Sequence, residues 1–292
     1  MEGADVRYLE SKRTVDERAR SRRIRDRLLA SLPAAPDVVD VGAGTGATLR
    51  ALLDWGVREG SYLGVDRSAA LVEHAREQLP DALAEEYAVS TGEGGSGFTV
   101  ESLSASLETG DVLSLPAGDA DLVVAQALLD LVPIDEAMDA VEDRLRPGGL
   151  AYLPITFDGA SVFLPTHPDD GAVVDAYHAA IDETPGRDSL AGRRLVQHLQ
   201  ERSGELLAVA AADWVVRPVD GAEADRYPAE EAHFLACILG FVEDALSGDE
   251  DEVTAHDGVG RQRQEQRHHL LVAGGLPDRG RGVGGQEAER VH

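Results

Sequence analysis

The chain is poor in several things, and each shortage excludes something. There is one cysteine, Cys237, in 292 residues. That excludes a disulfide framework and a cysteine-based structural zinc site. Lysine is nearly missing: Lys12 stands alone, so the 27 basic residues are otherwise arginine. No run reaches the roughly 18 apolar residues of a membrane span. The opening stretch MEGADVRYLESKR lacks the apolar centre of a signal peptide. The expectation is a soluble, cytoplasmic protein with no membrane partner.

Carboxylates are in excess, with 54 Asp+Glu giving a formal charge of −27. Such a surface repels phosphate backbones, so nucleic acid is an unlikely partner. Acids spread along the whole chain, with arginine in place of lysine, also fit a halophilic protein whose surface stays hydrated in concentrated salt, as in haloarchaea. In molar salt the Debye length is only about 3 Å, so the acidity speaks more to the compartment than to the partner. The charge is uneven. Residues 1–30 carry a net +3 and residues 260–292 a net +2, which leaves −32 on 31–259.

Apolar residues make up 43% of the chain, enough for a packed core. Thr14–Leu32 is predicted as one helix, with Thr14 as N-cap and Glu17 completing a capping box. Strands are expected at Asp37–Val41, Ser61–Asp66, Ala105–Val112, Asp121–Leu128 and Leu150–Phe157. Helices are expected up to about Trp55, over Ser68–Leu79 and over about Ile134–Leu145, with Arg146–Gly149 as a turn. The segment 81–103 breaks this rhythm, and Tyr87–Ser90 and Phe98–Glu101 flank a Gly-rich loop, as in an inserted hairpin. Helices at about Ala172–Ile181, Ala191–Arg202 and Ala229–Leu246, and a strand in Glu205–Arg217, follow. Strands alternating with helices predict an α/β fold with a doubly wound, mostly parallel Rossmann-like sheet. Around it come a helical N-terminal extension and an inserted cap or acceptor region. The organisation expected is 1–36 extension, 37–157 core, 158–258 cap and remainder of the same domain, and 259–292 last strand or tail. In that tail, only His269–Ala273 has the composition of a strand. A disordered end after it, or a tail from an altered reading frame, are the two readings of the remainder.

The turn Gly42-Ala43-Gly44-Thr45-Gly46 between the first strand and its helix is the most informative element. Glycines allow a tight turn and close approach of a ligand to the backbone. The helix behind presents free N–H groups and a positive dipole end. Two cofactor classes compete for it. Read as Gly42-x-Gly44-x-x-Ala47, with Asp66 about 20 residues on, the turn satisfies a permissive dinucleotide fingerprint and so an NAD(P)-dependent oxidoreductase. Against that stand Asp40 inside the strand, Gly110-Asp111 after the third strand, and Pro147-Gly148-Gly149 ahead of the fifth.

The ordered segments Val38–Gly46, Gly64-Val65-Asp66, Gly110-Asp111-Val112, Asp121–Val124 and Leu145–Gly149 resemble the successive motifs of class I S-adenosylmethionine-dependent methyltransferases. The resemblance implies S-adenosyl-L-methionine as cofactor, with roles to match. Asp66 would accept the ribose hydroxyls, with Arg67 beside it, and Asp111 the adenine amino group near the Val112 N–H. Gly42, Ala43, Gly44 and Gly46 would form the turn under the cofactor. Asp40 would anchor that turn, and Gln126 would lie where the methionine amino group is met. Lys12, Arg13, Arg18 and Arg23 are candidates for a carboxylate of the cofactor or substrate.

Methyl transfer is chiefly a matter of positioning, so a catalytic base leaves a faint trace in sequence. His167 and His178 are weak candidates, and Phe163, Tyr177, Trp214 and Tyr227 are further distinctive residues of an acceptor region over 158–246. The fourth strand ends in Ala125-Gln126-Ala127-Leu128, not in the Asn/Asp-Pro-Pro-Tyr/Phe turn of base amino-methylases. Cys237 lies in an apolar helical run and is expected in the core, away from covalent chemistry. No metal site is expected. The reading is methyl transfer to a small-molecule acceptor. The alternatives are the oxidoreductase and a non-catalytic S-adenosylmethionine-binding regulator.

Overall fold

Asp37–Val41 forms β1, flanked on one side by β2 (Glu59–Asp66) and on the other by β6 (Ala120–Val124), all parallel. This is the centre of the sheet in a computed structural model that describes residues 2–91, 97–202, 204–218, 227–247 and 263–274. Among these, nine strands run in the order β3-β4-β5-β2-β1-β6-β7-β9-β8. Parallel pairing extends to β5 (Ser102–Thr109) and β7 (Leu145–Leu164). The edge hairpin β3 (Val89–Thr91) and β4 (Gly97–Val100) is antiparallel and realises the predicted insertion.

Neighbouring residues of the central strands face opposite layers, as a two-residue side-chain period requires. Val38, Leu122, Val124 and Tyr152 pack with Ile24, Leu28, Leu49 and Leu52. Val41, Val123 and Leu153 pack with Met138, Val141, Leu195 and Leu199. Helices α3 (Ala47–Asp54), α4 (Ala69–Leu83), α5 (Ile134–Arg144), α6 (Asp170–Glu183), α7 (Ala191–Glu201) and α8 (Glu231–Ser247) supply much of the cover. None of the described helices is long and apolar enough to cross a membrane.

Several expectations are corrected. The N-terminal helix is two helices, α1 (Glu2–Ala19) and α2 (Arg22–Ser31), broken at Arg20-Ser21. Thr14 is therefore no N-cap: its hydroxyl donates to Glu231 Oε1 at 2.7 Å instead of capping its own helix. The fifth strand is longer than Leu150–Phe157. The Arg146–Gly149 turn is a bulge within β7, where Ala120 faces Leu145 but Leu122 faces Leu150. Beyond Phe157 the strand continues to Leu164 because β9 (Arg263–Gly274) pairs with it throughout, with bulges between Leu153 and Thr156 and between Phe157 and Ala160. β9 contains His269–Ala273 and inserts antiparallel between β7 and β8 (Glu205–Val216). Residues 275–292 lie outside the described residues, as does most of the Gly-rich loop at 92–96. Cys237 is half-buried rather than in the core, its Sγ 3.5 Å from His233 Nε2.

Two buried acids fix the frame. Glu231 has no exposure, yet its carboxylate takes a forked hydrogen bond from Arg18 at 2.6 and 2.9 Å besides the Thr14 hydroxyl. Forked guanidinium–carboxylate pairs are strong and directional, and this one pins α1 to α8. Asp40, also fully buried, accepts the Tyr62 hydroxyl at 2.6 Å across the β1–β2 pair. Burial pushes its pKa up to about 6, against the pull of that hydrogen bond.

Arg18→Ala is expected to cost about 3 kcal/mol in denaturant unfolding, because Glu231 is then left buried with a neutral partner only. Glu231→Gln should cost less, since Arg18 is half-exposed and can turn to water. Equal costs would contradict this asymmetry. For Asp40 the folded pKa lies above the unfolded value, so the folded state gains from the bound proton at low pH. That gain is lost as pH rises from about 4 through about 6. The stability of Asp40→Asn relative to wild type should therefore rise by roughly 2 kcal/mol between pH 4 and pH 7. A flat difference across that range in thermal unfolding contradicts the shift.

Candidate active site

In an open α/β sheet, ligands bind beyond the carboxyl ends of the strands where the chain's winding changes direction. Here that place lies between β1 and its two parallel neighbours. A cavity of roughly 570 Å³ opens there, within the ordinary range of small-molecule sites.

Its floor is the glycine turn. Gly42 and Gly44 have φ of +78° and +55°, a conformation that costs other residues about 1–2 kcal/mol. A side chain at Gly44 would also meet Leu9 of α1 at 3.1 Å. Asp66, at the end of β2, holds the turn in place. One carboxylate oxygen accepts the Gly44 N–H at 2.9 Å, and the other accepts the Ser68 N–H at 2.9 Å at the start of α4. Each oxygen keeps a further lone pair for a ligand hydroxyl.

Asp111 follows β5 and caps the short turn Val112–Ser114, accepting the Leu113 N–H at 3.0 Å. It stands exposed at the cavity rim beside Val112. Gln126, past the end of β6, accepts Arg20 Nη2 at 2.7 Å and donates to Asp16 Oδ2 at 3.3 Å. Ala43 and Arg67 also line the cavity. Thus Gly42, Ala43, Gly44, Asp66, Arg67, Asp111, Val112 and Gln126 are brought to one wall system.

Asp40 and Gly46 are not among the lining residues. Asp40 sits beneath the turn, engaged by Tyr62. Gly46 faces Leu79 of α4, so close that a Cβ would lie 2.5 Å from that side chain. Neither weak base candidate lines the cavity either. His167 is on an exposed loop beside Asp169, its backbone N–H bound by Asp170. His178 packs its ring 5.5 Å from Phe157, where burial lowers its pKa.

The roof is α1, which residue patterns understated. Leu9, Lys12 and Asp16 reach into the cavity from it, while Leu128, Leu131, Val132 and Pro133 of the β6–α5 loop and Pro185 close one side. The basic residues of the first two helices divide their duties. Arg18 serves Glu231, and Arg23 donates to the Val209 carbonyl at 2.9 Å on β8. Lys12 instead faces the cavity, 3.3 Å from Asp16 Oδ2 and 5.4 Å from the Trp214 ring centre. Both members of the Lys12–Asp16 pair are buried. Lys12→Met should therefore cost about 3 kcal/mol by leaving Asp16 uncompensated. Adding Asp16→Asn should restore most of that loss in chemical unfolding, and an additive double mutant contradicts the pairing.

No curated protein matches the chain in sequence. The family described as "Methyltransferase domain" matches residues 39–153. A solved Bacillus halodurans protein, provisionally named a methyltransferase, is 13% identical. It superposes with a TM-score of 0.54, covering 86% of this chain and 97% of that one. Geranyl diphosphate C-methyltransferase from Streptomyces coelicolor is 13% identical, with a TM-score of 0.47, 87% of this chain and 79% of that one. The YcgJ protein of Bacillus subtilis is 18% identical, with a TM-score of 0.48, 86% of this chain and 95% of that one. The domain match falls on the strands and turn that build the cavity floor, so residues 39–153 are similar to that methyltransferase domain.

Proposed function

We propose that the cavity holds S-adenosylmethionine through Gly42, Ala43, Gly44, Asp66, Arg67, Asp111, Val112 and Gln126, and that the methyl acceptor is a small molecule. The observation that carries this reading is the junction of the bare glycine turn with two strand-end carboxylates in one cavity. A backbone without Cβ atoms at 42 and 44 leaves room for a flat nucleoside edge. Asp66 keeps lone pairs for a cis-diol. Asp111, exposed at the rim with lone pairs beyond those taken by Leu113 and Ser114, suits an exocyclic amino group. Gln126 and Asp16 offer oxygens to an ammonium, and Lys12 offers the one ammonium of the cavity wall to a carboxylate.

When bound, the cofactor supplies an electrophilic methyl group on a sulfonium sulfur. The protein's part is to hold the acceptor in line with that group and to keep water out. α1 as roof and the β6–α5 loop as side wall supply the exclusion. A cavity roofed by a single helix favours a compact acceptor over a polymer. Asp40 acts beneath the site, through β1 and the turn it supports.

Calorimetric titration in molar KCl tests the reading. S-adenosylhomocysteine should bind, NAD(H) should not, and Asp66→Ala should weaken S-adenosylhomocysteine by about tenfold or more. Binding of NAD(H) alone would replace methyl transfer with hydride transfer. Unchanged affinity in Asp66→Ala would remove that residue from the site.

A further inference from the structure

Holding the cofactor leaves one side of the cavity without a duty. The β6–α5 loop brings Leu128, Leu131, Val132 and Pro133 to it, and the turn between α6 and α7 brings Pro185. Every residue that these two segments contribute is apolar. The charged groups of the lining come from elsewhere: Asp66, Arg67 and Asp111 at the strand ends, and Lys12 and Asp16 on α1.

This apolar side runs from the floor out to the surface. Leu128 lies over the glycine turn, where a Cβ added at Gly42 would stand 3.3 Å from its methyl groups. Leu128 and Val132 are half-buried, whereas Leu131, Pro133 and Pro185 are exposed. Four large apolar side chains are exposed among the described residues, and of these Leu131, at 43%, is the one that lines the cavity. A lone exposed leucine is ordinary, but one continuous with an apolar cavity wall marks a place that a ligand covers.

The two segments are also tied together. The Asp188 N–H donates to the Asp130 carbonyl at 3.2 Å, and the Leu131 N–H closes a turn on the Leu128 carbonyl at 2.9 Å. Gly186, with φ of +83°, lies against Pro133, where a Cβ would stand 3.1 Å from the proline ring. Proline fixes the backbone at 133 and 185. A ligand therefore meets a surface that it does not have to order, which spares binding that cost. A charged or polar group placed here gives up water and meets no hydrogen-bonding side chain from either segment. A methylene placed here gains about fourfold in affinity.

We infer that the methyl acceptor is an uncharged molecule with a hydrocarbon body, which lies along Leu128 and Val132 and reaches the rim at Leu131 and Pro185. The inference rests on the methyl-transfer reading of the same cavity and narrows its acceptor from a small molecule to an apolar one. Leu131 touches the acceptor's body at the mouth, away from the reacting atoms, and so selects by length and polarity. Chains of equal length are refused when they carry polar groups along the body.

The test is calorimetry in molar KCl on the full chain saturated with S-adenosylhomocysteine. The probes are 1-butanol, 1-hexanol and 1-octanol, with triethylene glycol as a polar chain of similar length to the last. Affinity should rise about fourfold per added methylene, and triethylene glycol should not bind. Leu131→Ser should weaken 1-octanol about fivefold, while Leu131→Met, similar in volume, should bind it as wild type does. Both variants should keep wild-type affinity for S-adenosylhomocysteine. Affinity independent of chain length, triethylene glycol bound as tightly as 1-octanol, equal behaviour of the two variants, or displacement of S-adenosylhomocysteine by 1-octanol overturns the apolar subsite. In each of those cases S-adenosylhomocysteine still binds the wild-type protein at the outset, and the methyl-transfer reading stands. Failure of S-adenosylhomocysteine to bind at all overturns that reading, and the acceptor assignment with it.

Discussion

Glu231 carries its carboxylate with no exposure to water, and the position of the N-terminal helix depends on how that charge is satisfied. A lone buried carboxylate would be prohibitive. The fork from Arg18 and the Thr14 hydroxyl make it tolerable, and in doing so they fix both the rotation and the depth of α1. Leu9, Lys12 and Asp16 occur on that helix at a spacing that turns them toward the glycine turn once the clamp is closed. Without it the cavity would be a groove open to solvent, and the sheet would present its carboxyl edge unroofed.

The floor is held by a different device. Asp66 ties the glycine turn to the start of α4 through two backbone N–H groups. One side chain therefore shapes the turn and stands ready for a ligand. Asp40, one strand over and beneath, is a supporting residue whose carboxylate is bonded to Tyr62 rather than directed into the cavity. Acids one strand apart thus serve opposite faces of the same turn.

What could be read in the sequence is what is local. The glycine turn, the acids at the ends of β2 and β5, the parallel alternation and the edge hairpin all leave compact signatures, and they stand where the residues placed them. What could not be read depends on partners far along the chain. Thr14 looks like a helix cap until its partner 217 residues away is known. The break at Arg20-Ser21 has no proline or glycine to announce it. β7 runs on past Phe157 because β9 pairs with it there too, and a strand's length is set by its neighbour as much as by its own composition. The two histidines stood out by residue type, and both lie away from the cavity lining.

Lys12 ends as more than a wall residue. It is the only ε-amino group in the chain, and it is 7% exposed beneath the helix that roofs the site. Reagents that acylate amines therefore have a single side-chain target, one nearly closed to solvent while α1 is seated. The rate of labelling at Lys12 is a built-in clock for opening of the roof, with Leu9 and Asp16 moving on the same helix and no engineered probe required.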